Sequence, residues 1–151
     1  MATLEQVREA VQATFEALWS DIGVYADVPS VVETPAIVVM PVRIDYGAAM
    51  GQGVDDVHLI DLFILCSGTV TELSQDSLDS YVSGAGPRSI REAVFKSYTP
   101  AGGLPVTFGL SRTQARVLSM ESYGVRFQAA GIDHLGAILR MEVITPAYVA
   151  P

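Results

Sequence analysis

The residues able to do chemistry are few and far apart. The chain has two histidines, His58 and His134, and one cysteine, Cys66. Each histidine sits inside a strand-like pattern with no His, Cys or carboxylate at metal-ligand spacing, so a paired or exposed strand histidine is expected rather than a zinc ligand. Cys66 closes an apolar run. A nucleophilic thiolate needs an electropositive setting, and a packed, inert thiol is the reading here. Asp55 and Asp56 are half of a cation site at most, because a calcium loop needs more oxygen ligands at fixed intervals; a solvated turn is expected. Asp45-Tyr46 has no second carboxylate placed to make an acid/base pair. Gly47, Gly51 and Gly53 fit neither the dinucleotide fingerprint nor a loop ending in Gly-Lys-Ser/Thr, and no GxSxG or HExxH occurs. The expectation is a chain with no catalytic, cofactor-binding or metal-binding residues.

Composition points the same way. Of 151 residues, 50% are hydrophobic and 17% charged, with a net charge of −8, where an average soluble domain has about a quarter charged residues. Such thin polar cover suits a subunit that hides surface in an assembly. A grip on nucleic acid needs clustered Lys and Arg, whereas the nine basic residues are scattered. A single cysteine excludes an internal disulfide and points to a reducing compartment. The start, MATLEQVREA, lacks a basic leader region, and the longest apolar run is about half a membrane span and carries Asp61, so neither a signal peptide nor a membrane helix is expected.

Stepping through the chain, Thr3-Leu-Glu-Gln6 forms a capping box, and Leu4, Val7, Val11, Phe15, Leu18 and Ile22 recur at helical spacing, predicting a helix over 3–22 ended by Gly23. Residues 24–29 read as a short edge strand. Residues 36–42 are almost continuously apolar and read as a strand covered on both faces, with Pro41 at a bulge or exposed edge. Residues 43–56 read as a loop or mobile hairpin tip. Residues 57–66 are the strongest strand, Ile60, Leu62, Ile64 and Cys66 on one face and Leu59, Asp61, Phe63 and Leu65 on the other. Asp61 must there be solvated, paired or in contact with another chain.

Residues 74–95 (SQDSLDSYVSGAGPRSIREAVF) predict two short helices. Leu78, Tyr81 and Val82 make the first apolar face, Gly84 and Gly86-Pro87 break it, and a Ser89–Glu92 capping box restarts it with Ile90, Ala93 and Val94. Residues 99–105 read as a flexible connector. Residues 111–128 form a weakly alternating strand kinked at Ser122-Tyr123-Gly124, and 134–145 a last strand alternating at Leu135, Ala137, Leu139, Met141 and Val143. The expected fold is one α+β domain over 1–151, with 147–151 a loose tail. It is a small sandwich of a mixed or antiparallel sheet carrying an N-terminal helix and a central two-helix block.

The succession LEQVREAVQATFEAL, GVYADVP, TPAIVVMPV, the long apolar strand, SQDSLDSYVSGAGPRSIREAVF and YGVRFQAAGIDHLGAILRMEVIT resembles the tail terminator (tail-to-head joining) proteins of long-tailed bacteriophages, especially those of actinobacterial hosts. The likeness covers nearly the whole chain as a pattern of elements. It implies a non-enzymatic virion protein at the tail–neck junction, assembled in the host cytoplasm as a ring that is usually a hexamer. The implied partners are its own copies, the tail tube protein and the head–neck connector, with DNA only as passing cargo in the lumen and no membrane. Other neck proteins, such as a stopper, share this size and content, and a small ligand-binding or enzymatic α+β domain is the alternative from another class.

On that reading the sheet forms much of the contact between copies, and loops 43–56 and 99–110 reach the tube and neck. Met50, Leu104 and Phe108 are apolar residues in expected flexible stretches, to be buried either on assembly or by folding back onto their own domain. Gln52, Asp55 and Asp56 join them from the first loop, Asp61 from the long strand, and Arg112 and Arg116 either as a solvated strand face or as contacts to an acidic neighbour subunit.

Overall fold

A computed structural model describes residues 3–26, 35–47, 55–67, 71–101, 103–129 and 132–146. Thr3 opens helix α1 (Leu4–Leu18) with the expected capping box: its hydroxyl accepts from the Gln6 amide at 3.2 Å, and its own amide donates to Gln6 Oε1 at 2.9 Å. The helix buries Val7, Val11 and Phe15 and then stops at Leu18, a turn earlier than the spacing predicts. Trp19 takes an extended backbone, stacks on Phe15 with ring centroids 5.8 Å apart and donates its indole N–H to the Pro87 carbonyl at 3.2 Å. Ile22 still reaches the core from the turn that joins the helix to β1, which is why the periodicity outlasts the helix.

Five strands make the main sheet, in the order β1 (Gly23–Tyr25), β2 (Ala36–Asp45), β3 (Asp55–Ser67), β8 (Ile132–Pro146), β7 (Gln114–Ala129). Only β1 and β2 are parallel; the other pairs are antiparallel. The fold is therefore α+β with a mixed sheet, as expected. The register puts Ile37 and Val39 of β2, Ile60, Leu62, Ile64 and Cys66 of β3, and Leu135, Ala137, Leu139, Met141 and Val143 of β8 on one face. Over that face lie α1, α2 (Thr71–Val82) through Leu78 and Tyr81, and α3 (Ile90–Lys96) through Ile90, Ala93 and Val94. Each large side chain so buried contributes about 1.5–3 kcal/mol.

The helix corner departs in detail from the expected capping box. Ser89 accepts from the Glu92 amide at 3.2 Å. Glu92 Oε2, however, accepts from the Gly86 amide at 3.1 Å, while the Ser89 amide turns to the Gly86 carbonyl at 3.2 Å. Gly86 has φ +123°, open to glycine alone among common residues, so the carboxylate braces a turn that the helix itself does not reach.

Strands extend into two stretches read as a loop or hairpin tip and as a connector. The ladder between β2 and β3 takes in Arg43–Asp45 at one end and Asp55 and Asp56 belong to β3, with a bulge between Pro41 and Arg43 where the proline signalled one. Residues 99–111 hold β4 (Thr99–Ala101), β5 (Leu104–Thr107) and β6 (Leu110–Ser111), a second three-stranded sheet. Pro100 and Pro105 face each other across it. Runs of two to four residues are too short to show alternation, and prolines and glycines hide what remains.

Candidate assembly surface

One face of the main sheet carries helices and the other carries none of the described helices. On the open face Ala36, Val38 and Leu65 are buried beneath Tyr25, Phe63 and Phe127. The two phenyl rings meet edge to face at 5.6 Å. Gly136 makes room for this: a Cβ there would stand 2.6 Å from the Ile64 carbonyl and 2.7 Å from the Phe127 ring.

Beside the aromatic patch runs a strip of ions. Asp61 of β3 lies opposite Arg140 of β8, and the guanidinium grips both carboxylate oxygens at 3.0 and 3.3 Å. Glu121 of β7 stands 3.8 Å from the same guanidinium, and Arg116 of β7 pairs with Glu142 of β8 at 3.1 Å. Asp61 is thus satisfied by its own chain, and the need for a neighbour to neutralise it falls away. Hydrogen bonding from Asp61 raises the Arg140 pKa above its ordinary value.

The remaining sequence candidates divide by place. Met50 and Gln52 lie outside the described residues. Leu104 is on β5, its side chain outside the described set. For Phe108 the interface reading is corrected in favour of folding back onto its own domain: it is only 7% exposed and belongs to the main core, held at φ 55° in the tight turn between β5 and β6. A residue already packed has no surface to offer a neighbour. Asp55 is exposed at the start of β3, and Asp56 accepts from the Gly47 amide at 3.0 Å, bracing the end of β2 against it. Arg112 is exposed at φ 57° just before β7, and Arg116 projects from β7 with 70% of its side chain exposed. The sheet brings Asp61 and Arg116 onto one face and sets Asp55 and Asp56 at the same end of the sheet as Arg112.

Sequence reading missed the apolar display on β7. No described side chain of this strand is buried, and Leu118, Met120, Tyr123 and Val125 are each about 40% exposed. The alternation there was weak, and two bulges, at Val117/Ser119 and Glu121/Val125, account for it by resetting the side-chain phase. Tyr123 leaves the second bulge to donate its hydroxyl to Asp79 of α2.

The other chemically able groups are packed. Burial pushes the Cys66 thiol up to about 11, so it stays protonated at neutral pH. His58 is buried, with Nε2 3.1 Å from the Thr145 hydroxyl; burial holds its pKa below the ordinary value, with Asp56 opposing weakly. Two clefts of about 440 and 490 Å³ flank α3, one against α1 at Thr14 and Leu18, the other against β7 at Gln114 and Ala115. Among the described residues no three His, Cys, Asp or Glu gather as a metal site, and no helix is long and apolar enough to cross a membrane.

No protein-family model matches the chain, and no curated protein matches it. A solved structure of a protein without a functional name aligns with 95% of this chain and 98% of its own, at 13% identity and a TM-score of 0.31. A likeness that slight bears on neither fold nor function.

Proposed function

We propose that this chain is a structural virion protein whose copies close into a ring, cap the tail tube of a long-tailed phage, end its polymerisation and join it to the neck while DNA passes through. The observation that carries the reading is β7, a 16-residue edge strand with apolar side chains in solvent on a chain with little charge to spare. A free monomer leaves such an edge open to unwanted pairing, and a subunit covers it. The sequence resemblance supplies the identity of the assembly, and the acidic balance suits a lumen that DNA crosses without counterion release. Electron microscopy of particles made without the gene tests it. Overlong, uncapped tails are expected; normal free tails beside DNA-leaking heads point to a stopper in the neck. A purified chain that stays monomeric at high concentration in light scattering points instead to a small binding or enzymatic domain.

A further inference from the structure

His58 stands on the helix-covered face of β3, two residues before Ile60, and is only 4% exposed. Its Nε2 lies 3.1 Å from the Thr145 hydroxyl, and its Nδ1 is buried with no hydrogen-bond partner. Asp56, two residues earlier on the same strand, puts its side chain on the same face, about 7 Å along. Thr145 of β8 is directly across from it. The Asp56 carboxylate accepts from the Gly47 amide at 3.0 Å, two residues past Asp45, which makes the last pair of the β2–β3 ladder with Val57. We propose that these groups form a proton-operated latch on the end of β2: Asp56 holds Gly47 while His58 is neutral, and turns to His58 Nδ1 when the ring takes up a proton.

The neutral ring is served by Thr145 in either tautomer, because a hydroxyl both donates and accepts. A protonated ring has two N–H donors, and Thr145 takes only one. Nδ1–H then becomes a charged donor, buried and in need of an acceptor. The strand partners of His58 are Ile44 on β2 and Val143 on β8, whose side chains have none to offer. Arg43, Asp45 and Glu142, next to those partners in sequence, alternate to the other face. The core over the inward face includes Tyr81 from α2 and Cys66 from β3, both uncharged below pH 7 because burial pushes them up. Asp56 is the charged group whose field reaches the ring, and it favours the proton.

The direction follows from sign. Burial holds the His58 pKa below 6.5, and Asp56 pulls it back only in part. The latch is therefore shut at pH 7 and opens as pH falls through that lowered value. Asp56 makes the exchange because a carboxylate only accepts, and a charged donor claims it more strongly than a neutral backbone amide does. The proton comes from solvent; the Gly47 N–H bond to Asp56 breaks and the Nδ1–H bond to Asp56 forms. The end of β2 then loses this tie to β3 beyond Asp45, while the ladder inward of that pair is untouched.

The full chain, His58→Gln and Asp56→Asn test this by nuclear magnetic resonance as pH is lowered from about 7 to about 5, a range in which an ordinary histidine titrates. In the unaltered chain the His58 ring and the Gly47 amide should share one midpoint below 6.5. Across it Gly47 should lose at least about tenfold of its exchange protection as the charge-assisted bond goes, while buried Leu62 in mid-β3 keeps its own. In His58→Gln the new side chain still reaches for Thr145, and Gly47 should not respond. In Asp56→Asn the amide oxygen still accepts from Gly47 but cannot neutralise the ring, so His58 should titrate at lower pH and Gly47 should again stay put. Gly47 unmoved while His58 titrates in the unaltered chain, or the same Gly47 midpoint in either variant, overturns the latch. So does a His58 that stays neutral until Leu62 loses protection. Where a variant does not fold, the titration of the unaltered chain still decides.

Discussion

Strand β8 places Leu135, Ala137, Leu139, Met141 and Val143 under the helices, while its neighbour β7, of nearly equal length, buries none of its described side chains. The two are hydrogen-bonded partners, with similar shares of apolar residues. What separates them is place in the sheet. β8 has a strand on each side and α2 above it; β7 ends the sheet, and its two bulges break the phase that would keep one apolar row inward. The interior strand fills the core, while the edge strand packs Ala115, Val117 and Phe127 only in part and leaves Leu118, Met120, Tyr123 and Val125 about 40% exposed.

Methionine gives the sharpest way to break that comparison, since Met141 is fully buried and Met120 is 43% exposed on the adjacent strand. Met141→Ala should cost about 2–5 kcal/mol in urea unfolding, and Met120→Ala less than about 0.5 kcal/mol. Equal losses would show that β7 is packed after all. Gly136→Ala comes next, at about 3 kcal/mol, because the clash involves the Ile64 carbonyl and cannot be relieved by turning one ring. Adding Phe127→Ala should recover part of that loss if the ring is the second obstacle. Asp61→Ala leaves the partly covered Arg140 with only the 3.8 Å contact to Glu121 and should cost about 2 kcal/mol, with Asp61→Asn in between.

His58 gives a smaller, graded effect. Its folded pKa lies below the unfolded value near 6.5, so the unfolded chain binds the proton first. Its contribution is fully present above that value and is lost as pH falls through the folded pKa, by up to about 1.4 kcal/mol per pH unit. Stability measured from pH 7 to 5 should fall, and His58→Gln should flatten the fall.

The central sheet was legible because its strands obey period two: the inward set of β3 and the five inward residues of β8 stand where alternation puts them. The capping box at Thr3, the bulge at Pro41 and the kink at 122–124 each had a local chemical signal. What stayed hidden depends on partners distant in sequence. Trp19 leaves the helix for Pro87, 68 positions away; Asp61 is answered by Arg140, 79 away; and Phe108 is buried by packing that no spacing in residues 99–110 announces. Likewise, nothing in the string QARVLSMESYGVRFQA marks it as an edge. That is decided by which strand lies next to β8, a fact of topology.

The lone tryptophan gives the molecule a built-in reporter with a blind side. Trp19 lies flat on Phe15 and reaches the corner between α2 and α3, where Arg88 also grips Asp21 through two bonds of 2.8 Å. Its emission should therefore change when that corner docks on α1, an event that joins distant parts of the chain and closes late in refolding. The β7 edge carries no tryptophan. Folding should thus be bright in this protein, and any contact confined to the β7 edge dark.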